Sequence, residues 1–350
     1  MTYELYWEQI GGHEARLLRA FGTMPKVVLP EQIEGRTIVE IAAYCFAERA
    51  RLPEQFEQTR IVSEDILEEN ISSVKECVCT QTVQQETGSD TEIFYDMREL
   101  SGRYIKEVIL PDSVRKIGNL AFYHCMSLER LTVGYSLTEI GSDVFMNCSS
   151  LHHITLHGSC KNQSGIRQIL AQLSSDMEVA FVGDKGTDAK LLFPEYYESY
   201  DEIAPAHLFG RNIEGEGFRA RQCFKDGVVD FKQYDTIFKK ACAEESERTL
   251  CRLAYNRLRY PVDLGEKERE AYEAYISKHV RHVCAAAVAA RAMEQVAFLC
   301  ERRLFTDMDM RMCIRMATES DWPEGSAYFL RLKEQHFAEK TEDRYAFDDF

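Results

Sequence analysis

The chain has 350 residues, of which 45% are hydrophobic, and a formal net charge of -16 at pH 7. It is long enough to bury a sizeable core and to form two domains, and its apolar content is normal for a globular protein. The negative charge disfavours nucleic-acid backbones and anionic membrane surfaces as partners, because both would repel it.

Membrane insertion and export are also disfavoured. No stretch reaches the roughly 20 apolar residues that span a bilayer. The first residues, Met1–Glu8, lack the basic region and the apolar stretch of a secretion signal. The twelve cysteines are scattered, as is typical of free thiols in a reducing compartment. We therefore expect a cytoplasmic protein; the alternative is an exported protein whose signal peptide has been removed.

Residues 1–50 are interpreted as an N-terminal cap that runs into an opening repeat at Val28–Phe46. An acidic insertion at about 51–102 then interrupts the repeat pattern. Within it, the residue pattern predicts a helix over 63–70 and a strand over 74–83. Insertions of this kind commonly lie on the binding face of a solenoid.

The next segment contains the most informative pattern, in which Ile105–Cys125 and Leu128–Cys148 share the same apolar spacing 23 residues apart. A third copy begins at Leu151. Each copy opens with L-x-x-L-x-L, whose last two apolar residues are two apart and therefore lie on one face of a strand. Repetition at this period predicts a solenoid, in which each unit buries its apolar side against its neighbours.

The whole pattern, which ends in I-G-x-x-A-F-x-x-C-x-x-L, resembles the BspA-type leucine-rich repeat. Two positions depart from it: Val144 stands where Ala is usual, and Ala42 of the opening repeat stands where Gly is usual. The resemblance implies a short solenoid with parallel strands. It says little about function, because family members range from surface adhesins to uncharacterised intracellular proteins.

The residues between the apolar strand positions predict an outer surface. These candidate partner-binding residues are Glu107, Ile109, Arg130, Thr132, His153 and Thr155. In a solenoid such side chains form one continuous surface, which suits a protein or peptide partner. The alternative is that so short an array is a structural wall for a neighbouring domain.

After the third copy, residues 165–173 predict a helix and residues 178–182 a strand, which together cover the open end of the repeats. The predicted solenoid domain is therefore 1–183. Residues 184–225 follow as an aromatic and acidic connecting segment that has too many large rings for a flexible linker. Its Tyr196, Tyr197 and Tyr200 are candidate interface residues. The alternative is that they pack in a seam between the solenoid and the helices.

Residues 226–350 predict an α-helical domain. Helices are expected from about Asp230, around Leu250–Leu258, and over 267–283, 284–303, 307–318 and 323–337. Val296–Leu299 and Ser326–Leu330 hold similar sequences in successive helix pairs. This weak self-similarity resembles an ankyrin-like or other helical-repeat arrangement, although the ankyrin T-P-L-H signature is absent.

Motifs for catalysis, cofactors and metals are incomplete. Gly215–Ala220 has the letters of a dinucleotide fingerprint without the buried strand before it, and Asp226–Tyr234 resembles half of a calcium loop without its acidic ligands. The candidate metal clusters offer fewer than the about four ligands of a zinc site; they are His153 with His157 and Cys160, Cys77 with Cys79, and His279 with His282. We expect no catalytic residue, no cofactor and no metal.

The sequence thus predicts an α+β protein in which a short leucine-rich-repeat solenoid of parallel strands is followed by an all-α helical domain. The expected function is non-catalytic recognition of a protein or peptide. Two alternatives stay open: a surface or secreted adhesin-like module, and an enzyme whose site lies in the seam between the two halves.

Overall fold

A computed structural model describes residues 2–48, 57–62, 97–203 and 208–337. The chain divides into two compact units, Met1–Ile237 and Phe238–Phe350. The predicted helix over 63–70 and the predicted strand over 74–83 lie outside the described residues.

The first unit is built mainly of strands. Their bounds are β1 Thr2–Gln9, β2 Glu14–Gly22, β3 Lys26–Val28, β4 Gln32–Ile33, β5 Arg36–Ile41, β6 Glu57–Val62, β7 Arg98–Glu99, β8 Glu107–Ile109, β9 Lys116–Ile117, β10 Arg130–Gly134, β11 Glu139–Ile140, β12 His153–His157, β13 Met177–Gly183, β14 Gly186–Phe193, β15 Tyr197–Ile203, β16 Leu208–Glu214, β17 Phe224–Lys225 and β18 Val228–Val229. Two short helices join them, α1 Ile166–Leu170 and α2 Gly217–Ala220.

The repeats form one sheet with the strand order β14-β13-β12-β10-β8-β3. The strands β3, β8, β10, β12 and β13 pair in parallel, whereas β14 adds antiparallel to β13. Register pairing places Val108, Leu131 and Ile154 side by side, and all three are buried. The predicted parallel-strand solenoid is therefore confirmed, with α1 and β13 at the predicted end of the repeats.

A second ladder runs through the other half of each repeat. The ring of Phe122 stacks on Phe46 at 4.9 Å and on Phe145 at 5.5 Å, with interplanar angles of 10° and 12°. All three rings are buried. The opening repeat predicted at Val28–Phe46 therefore supplies the first member of this ladder, and each ring gains both buried apolar area and favourable stacking geometry.

Gly118 and Gly141 occupy the repeat position that Ala42 holds in the opening repeat, and each lies where one turn stacks closely on the turn before it. A Cβ on Gly118 would lie 2.3 Å from the backbone nitrogen of Ala43, and one on Gly141 would lie 2.5 Å from that of Asn119. Each glycine thus allows one turn to stack on the turn before it. Ala42 follows β5, whose neighbour β2 belongs to the first hairpin and not to a preceding repeat, and its N–H donates to the Leu17 carbonyl of β2.

A second sheet has the strand order β11-β9-β5-β2-β1-β6. At the N-terminal side it continues from the repeat strands into the first hairpin, which is β1 with β2. Tyr3 of this first hairpin also forms hydrogen bonds with the exposed edge of β3. The hydroxyl of Tyr3 accepts a hydrogen bond from the Val28 N–H and donates one to the Lys26 carbonyl, both at 3.2 Å. An edge strand with satisfied backbone groups is protected from unwanted pairing.

At the other end, a buried arginine joins the cap to the last turns. Arg221 is 2% exposed and donates to the carbonyls of Leu173 at 2.8 Å, Ser175 at 2.5 Å and Pro194 at 2.5 Å. It donates also to Gly217 at 2.9 Å. Residues 184–225, predicted as a connecting segment, lie in the first unit and form β14 to β17 together with α2.

The C-terminal half is helical, as predicted. Its helices are α3 Phe231–Glu244, α4 Glu247–Arg259, α5 Glu266–Lys278, α6 Val280–Ala289, α7 Met293–Glu301, α8 Asp307–Glu319 and α9 Pro323–Phe337. Helix α6 contacts both α4 and α8, and α7 contacts α9. Alternate helices thus stack on one another, which is typical of a helical repeat.

The predictions of single helices over 267–283 and 284–303 were wrong, because each segment contains a break. The segment 267–283 breaks at His279, whose φ of -117° and ψ of 31° leave the helical region, while its ring stacks on Tyr275 and its Nδ1 lies 3.0 Å from the Tyr275 carbonyl oxygen. The segment 284–303 breaks at Arg291, which has a φ of 51°.

The break at Arg291 is one of three turns built alike. Arg291, Arg303 and Asp321 all have positive φ. The N–H of the residue after each one bonds back five residues, as in Ala292 to Ala287 at 2.8 Å. This is the Schellman arrangement, which usually has Gly at the left-handed position. Because Arg and Asp stand there instead, the sequence gives no Gly signal for these turns, and of the three only the turn at Asp321 is followed closely by a proline, Pro323.

Candidate functional site

The strand face is the set of outward side chains on β3, β8, β10, β12 and β13. Its first column, in register order, consists of Lys26, Glu107, Arg130, His153 and Glu178. The structure therefore brings three predicted residues, Glu107, Arg130 and His153, onto one line across three adjacent strands.

Charges along this column largely satisfy one another. Lys26 Nζ lies 3.7 Å from a Glu107 carboxylate oxygen, and His153 Nδ1 lies 3.6 Å from Glu178. Glu178 also pairs with Lys190 of β14 at 2.7 Å. Arg130 is exposed, and its guanidinium makes no hydrogen bond or ion pair with any described residue. It is thus a cation available to a ligand in the centre of the face.

The second column is mostly covered. Ile109 is 6% exposed and Thr132 is 8% exposed, whereas Thr155 is half-buried. Register pairing places these three predicted residues side by side. Close lateral packing of short side chains leaves little surface there, so the first column holds most of the accessible polar groups of the strand face.

The predicted tyrosines separate into two environments. Tyr196 is buried, and its ring meets Phe218 edge-on at 5.5 Å, with the Arg221 guanidinium 5.0 Å from its centroid. Tyr197 is 62% exposed and Tyr200 is 63% exposed. Tyr196 is therefore a structural anchor, and the other two belong to the hairpin, which we define as β15 with β16.

A comparable charge column lies on the second sheet, and the sequence analysis missed it. Glu8, Arg16, Glu40, Lys116 and Glu139 are register neighbours, with ion pairs of 2.7 Å, 3.0 Å and 3.2 Å along the first four. The sequence contains a signal for this column, because three of these residues directly precede the equivalent isoleucines of successive repeats, which are Ile41, Ile117 and Ile140. Most of its charges are satisfied internally, as on the strand face.

The repeat cysteines are structural thiols. Cys125 donates to the Phe46 carbonyl at 3.3 Å and Cys148 to the Phe122 carbonyl at 3.1 Å, so each thiol bonds to the preceding turn. Burial, followed by its interactions with Cys148, raises the pKa of Cys125 well above the ordinary thiol value. A protonated, buried thiol is a poor nucleophile.

The incomplete motifs of the sequence have local structural explanations. Asp226 and Gly227 have φ of 50° and 77°, which is the two-residue turn of a tight hairpin between β17 and β18. Gly217 opens the four-residue helix α2, and a Cβ there would lie 2.0 Å from the Pro194 carbonyl oxygen. Gly227 thus provides a positive φ for the turn, and Gly217 leaves room for the Pro194 carbonyl.

His279 and His282 lie near one carboxylate in the second unit. Glu247 is 3.7 Å from His279 Nε2 and 2.5 Å from His282 Nε2. Even so, no group of three or more His, Cys, Asp or Glu residues within the described ranges is arranged to hold a metal ion.

No described helix is both long and apolar enough to cross a membrane.

A surface pocket of about 460 Å³ lies among Glu48, Arg103, Tyr123 and His124. His124 Nε2 is 2.9 Å from the side-chain nitrogen of Asn147, its counterpart in the next repeat. Each of the four lining side chains carries a polar group, and none of the predicted site residues is among them.

Comparison with known families supports the repeats and leaves the remainder unassigned. Residues 92–166 match the family model of the BspA type leucine rich repeat region (6 copies). This segment, which holds β8 to β12, is therefore a BspA-type leucine-rich-repeat region. Comparison with curated proteins and with solved structures returned no match. The family of the helical region is unassigned.

Proposed function

We propose that this chain is a non-catalytic scaffold that recognises a protein partner through its strand face. The observation that supports this most is Arg130, an exposed guanidinium without a partner among the described residues, held in a register column whose other charges are paired. Leucine-rich repeats suit such a role because they present a rigid, repetitive surface.

The chemistry of Arg130 indicates what the partner offers. A guanidinium presents a planar fork of donors that matches a carboxylate with two parallel hydrogen bonds. Because no ion pair to a described residue has to break first, the bond to an incoming Asp, Glu or chain-terminal carboxylate is gained without that cost. Glu107 and His153 on either side would orient a partner segment that also has polar groups.

The proposed partner is a protein or peptide rather than a nucleic acid. The net charge of -16 opposes a polyanionic backbone. We propose the cytoplasm as its compartment, because the ten described cysteines are free thiols, nine of them buried, a state that a reducing compartment maintains.

The test captures partners with the full chain from a lysate of the source organism, in parallel with two charge-reversed variants. Arg130→Glu reverses the proposed anchor. Arg315→Glu reverses an exposed arginine of α8 and serves as the matched control. Near-ultraviolet circular dichroism verifies that all three proteins are folded.

We expect at least one protein that is retained equally by the unchanged chain and by Arg315→Glu and at least tenfold less by Arg130→Glu. If the unchanged chain retains nothing above background, or if all three baits retain the same proteins, the proposed strand-face function is overturned.

A further inference from the structure

The hairpin of β15 and β16 is a two-stranded sheet with seven register pairs, from Tyr197 with Glu214 to Ile203 with Leu208. Neither strand pairs with any other described strand. Along 197–202 and 211–214 every side chain is exposed, on both faces of the ribbon. A two-stranded hairpin without a core beneath it is marginally stable in water, so additional pairing would stabilise it.

The base of the hairpin is held firmly. The N–H of Tyr196 bonds to the Ser174 carbonyl at 3.0 Å. Its ring packs against Phe218, and the Arg211 guanidinium from β16 lies 5.1 Å from the Phe218 centroid. The two strands therefore leave the solenoid cap from a fixed base, and the outer edge of each strand pairs with no other described strand.

From this geometry we infer that an open edge of the hairpin binds an extended, basic segment of a partner protein, which adds as a further strand. This is the mode in which backbone hydrogen bonds supply affinity and alternate side chains supply specificity. The inference extends the proposed recognition role to a second surface and does not depend on Arg130.

Charge complementarity identifies the occupant as basic. The hairpin has four carboxylates, Glu198, Asp201, Glu202 and Glu214, against one cation, Arg211. That cation is already bound by Glu198 through contacts of 2.5 Å and 3.2 Å. Lysine or arginine side chains on an added strand would meet this excess negative charge. The exposed rings of two tyrosines offer further cation–π contacts to the same side chains.

A second copy of the chain fits these edges poorly. Two-fold antiparallel pairing of β15 centred on Tyr200 would place Glu198 opposite Glu202 of the other copy. The same pairing of β16 centred on Arg211 would place two arginines opposite each other. Like charges directly opposite destabilise a strand pair, so these two registers disfavour self-association.

The experiment selects peptides from a displayed random library with the full chain as bait. The selected peptides are then synthesised, and their affinity for the chain is measured. The hairpin variant is Asp201→Lys with Glu202→Lys. The matched control is Glu319→Lys with Glu334→Lys, which reverses two exposed charges on helices α8 and α9. Arg130→Glu is the third bait, and peptides methylated at alternate backbone nitrogens test for strand addition.

We expect the selected peptides to have alternating Lys or Arg residues. Their affinity should fall at least tenfold for the hairpin variant and stay unchanged for the control and for Arg130→Glu. Methylation should weaken binding at every second position only. The inference is overturned if no basic peptide is enriched, if methylation has no alternating effect, or if a dimer that the hairpin variant abolishes is found by sedimentation. Loss with Arg130→Glu alone would overturn it too, while leaving the strand-face proposal in place.

Discussion

Replacing Gly118 by Ala should destabilise the first unit by forcing two stacked turns apart. The added Cβ would lie 2.3 Å from the backbone nitrogen of Ala43 and 2.8 Å from the carbonyl carbon of Ala42. Both atoms belong to the backbone of the preceding turn, which cannot rotate away as a flexible side chain can. The turns must therefore separate by roughly 1 Å to reach ordinary van der Waals contact.

The expected loss of unfolding free energy has two parts, the cost of overpacking the site and the weakening of hydrogen bonds between the two turns. Forcing an extra methyl group into a close-packed site costs about 1–3 kcal/mol. Two hydrogen bonds join the same turns, from the Gly118 N–H to the Ile41 carbonyl at 2.8 Å and from the Tyr44 N–H to the Asn119 carbonyl at 3.1 Å. Weakening each adds up to about 1 kcal/mol. We expect a loss of about 3 kcal/mol, which corresponds to a fall in Tm of about 6–12 °C for a unit of this size.

Fluorescence can report this unit alone, because the chain has two tryptophans and they fall in different units. Trp7 is in the first unit and Trp322 in the second. In a Trp322→Phe background, denaturant unfolding followed by Trp7 emission compares Gly118→Ala with Gly12→Ala, whose Cβ would meet nothing within 4 Å. Equal stability of the two variants would refute the stacked-turn reasoning.

Three further predictions concern other parts of the chain. Arg221→Met leaves four backbone carbonyls without their buried donor, so the unfolding free energy of the first unit should fall by about 3–5 kcal/mol; a loss below 1 kcal/mol in the same Trp7 assay would contradict this role. Tyr3→Phe removes the two hydrogen bonds that protect β3 and should cost about 1–2 kcal/mol, measured by denaturation, with no loss as the contrary result. Burial raises the pKa of Tyr255 from 10.0 to about 12, so the folded chain keeps a proton that the unfolded chain releases, and the stability of the second unit should fall as pH rises from 10 to 12. Trp322 emission in a Trp7→Phe background should show a shallower fall for Tyr255→Phe, and identical slopes would exclude this contribution.

The repeat core could be predicted because its information is local and recurs. Val108 and Leu131 occupy the same place in successive copies, and the two-residue strand period alone decides that they point inward. The same spacing fixed the outer positions, including Arg130. Which of those outer charges is satisfied could not be predicted, since it depends on neighbours from strands distant in sequence, such as Lys190 of β14 at 2.7 Å from Glu178.

Other features lacked a local signal. The turn at Arg291 has a left-handed residue that is not Gly, and its cost of about 1 kcal/mol is offset by the capping bonds of the turn. Along 197–202 and 211–214 the hairpin has no buried face, so the sequence there shows no alternation of apolar and polar residues to indicate a strand. Tyr196 differs from Tyr197 only through Phe218 and Arg221, which fold back from later in the chain.

The alignment of successive repeat strands is tested most directly by engineered cross-links. Thr132 and Thr155 are register partners on β10 and β12, so their Cα atoms lie about 4.8 Å apart, within the range that a disulfide bridges. In a background with Cys77, Cys79 and Cys242 replaced by Ala, Thr132→Cys with Thr155→Cys should form a disulfide under mild oxidation, detected by peptide mass mapping. Thr132→Cys with His157→Cys, offset by two residues and about 8 Å apart, should remain reduced. Cross-linking of the offset pair instead of the aligned pair would contradict the parallel, in-register solenoid.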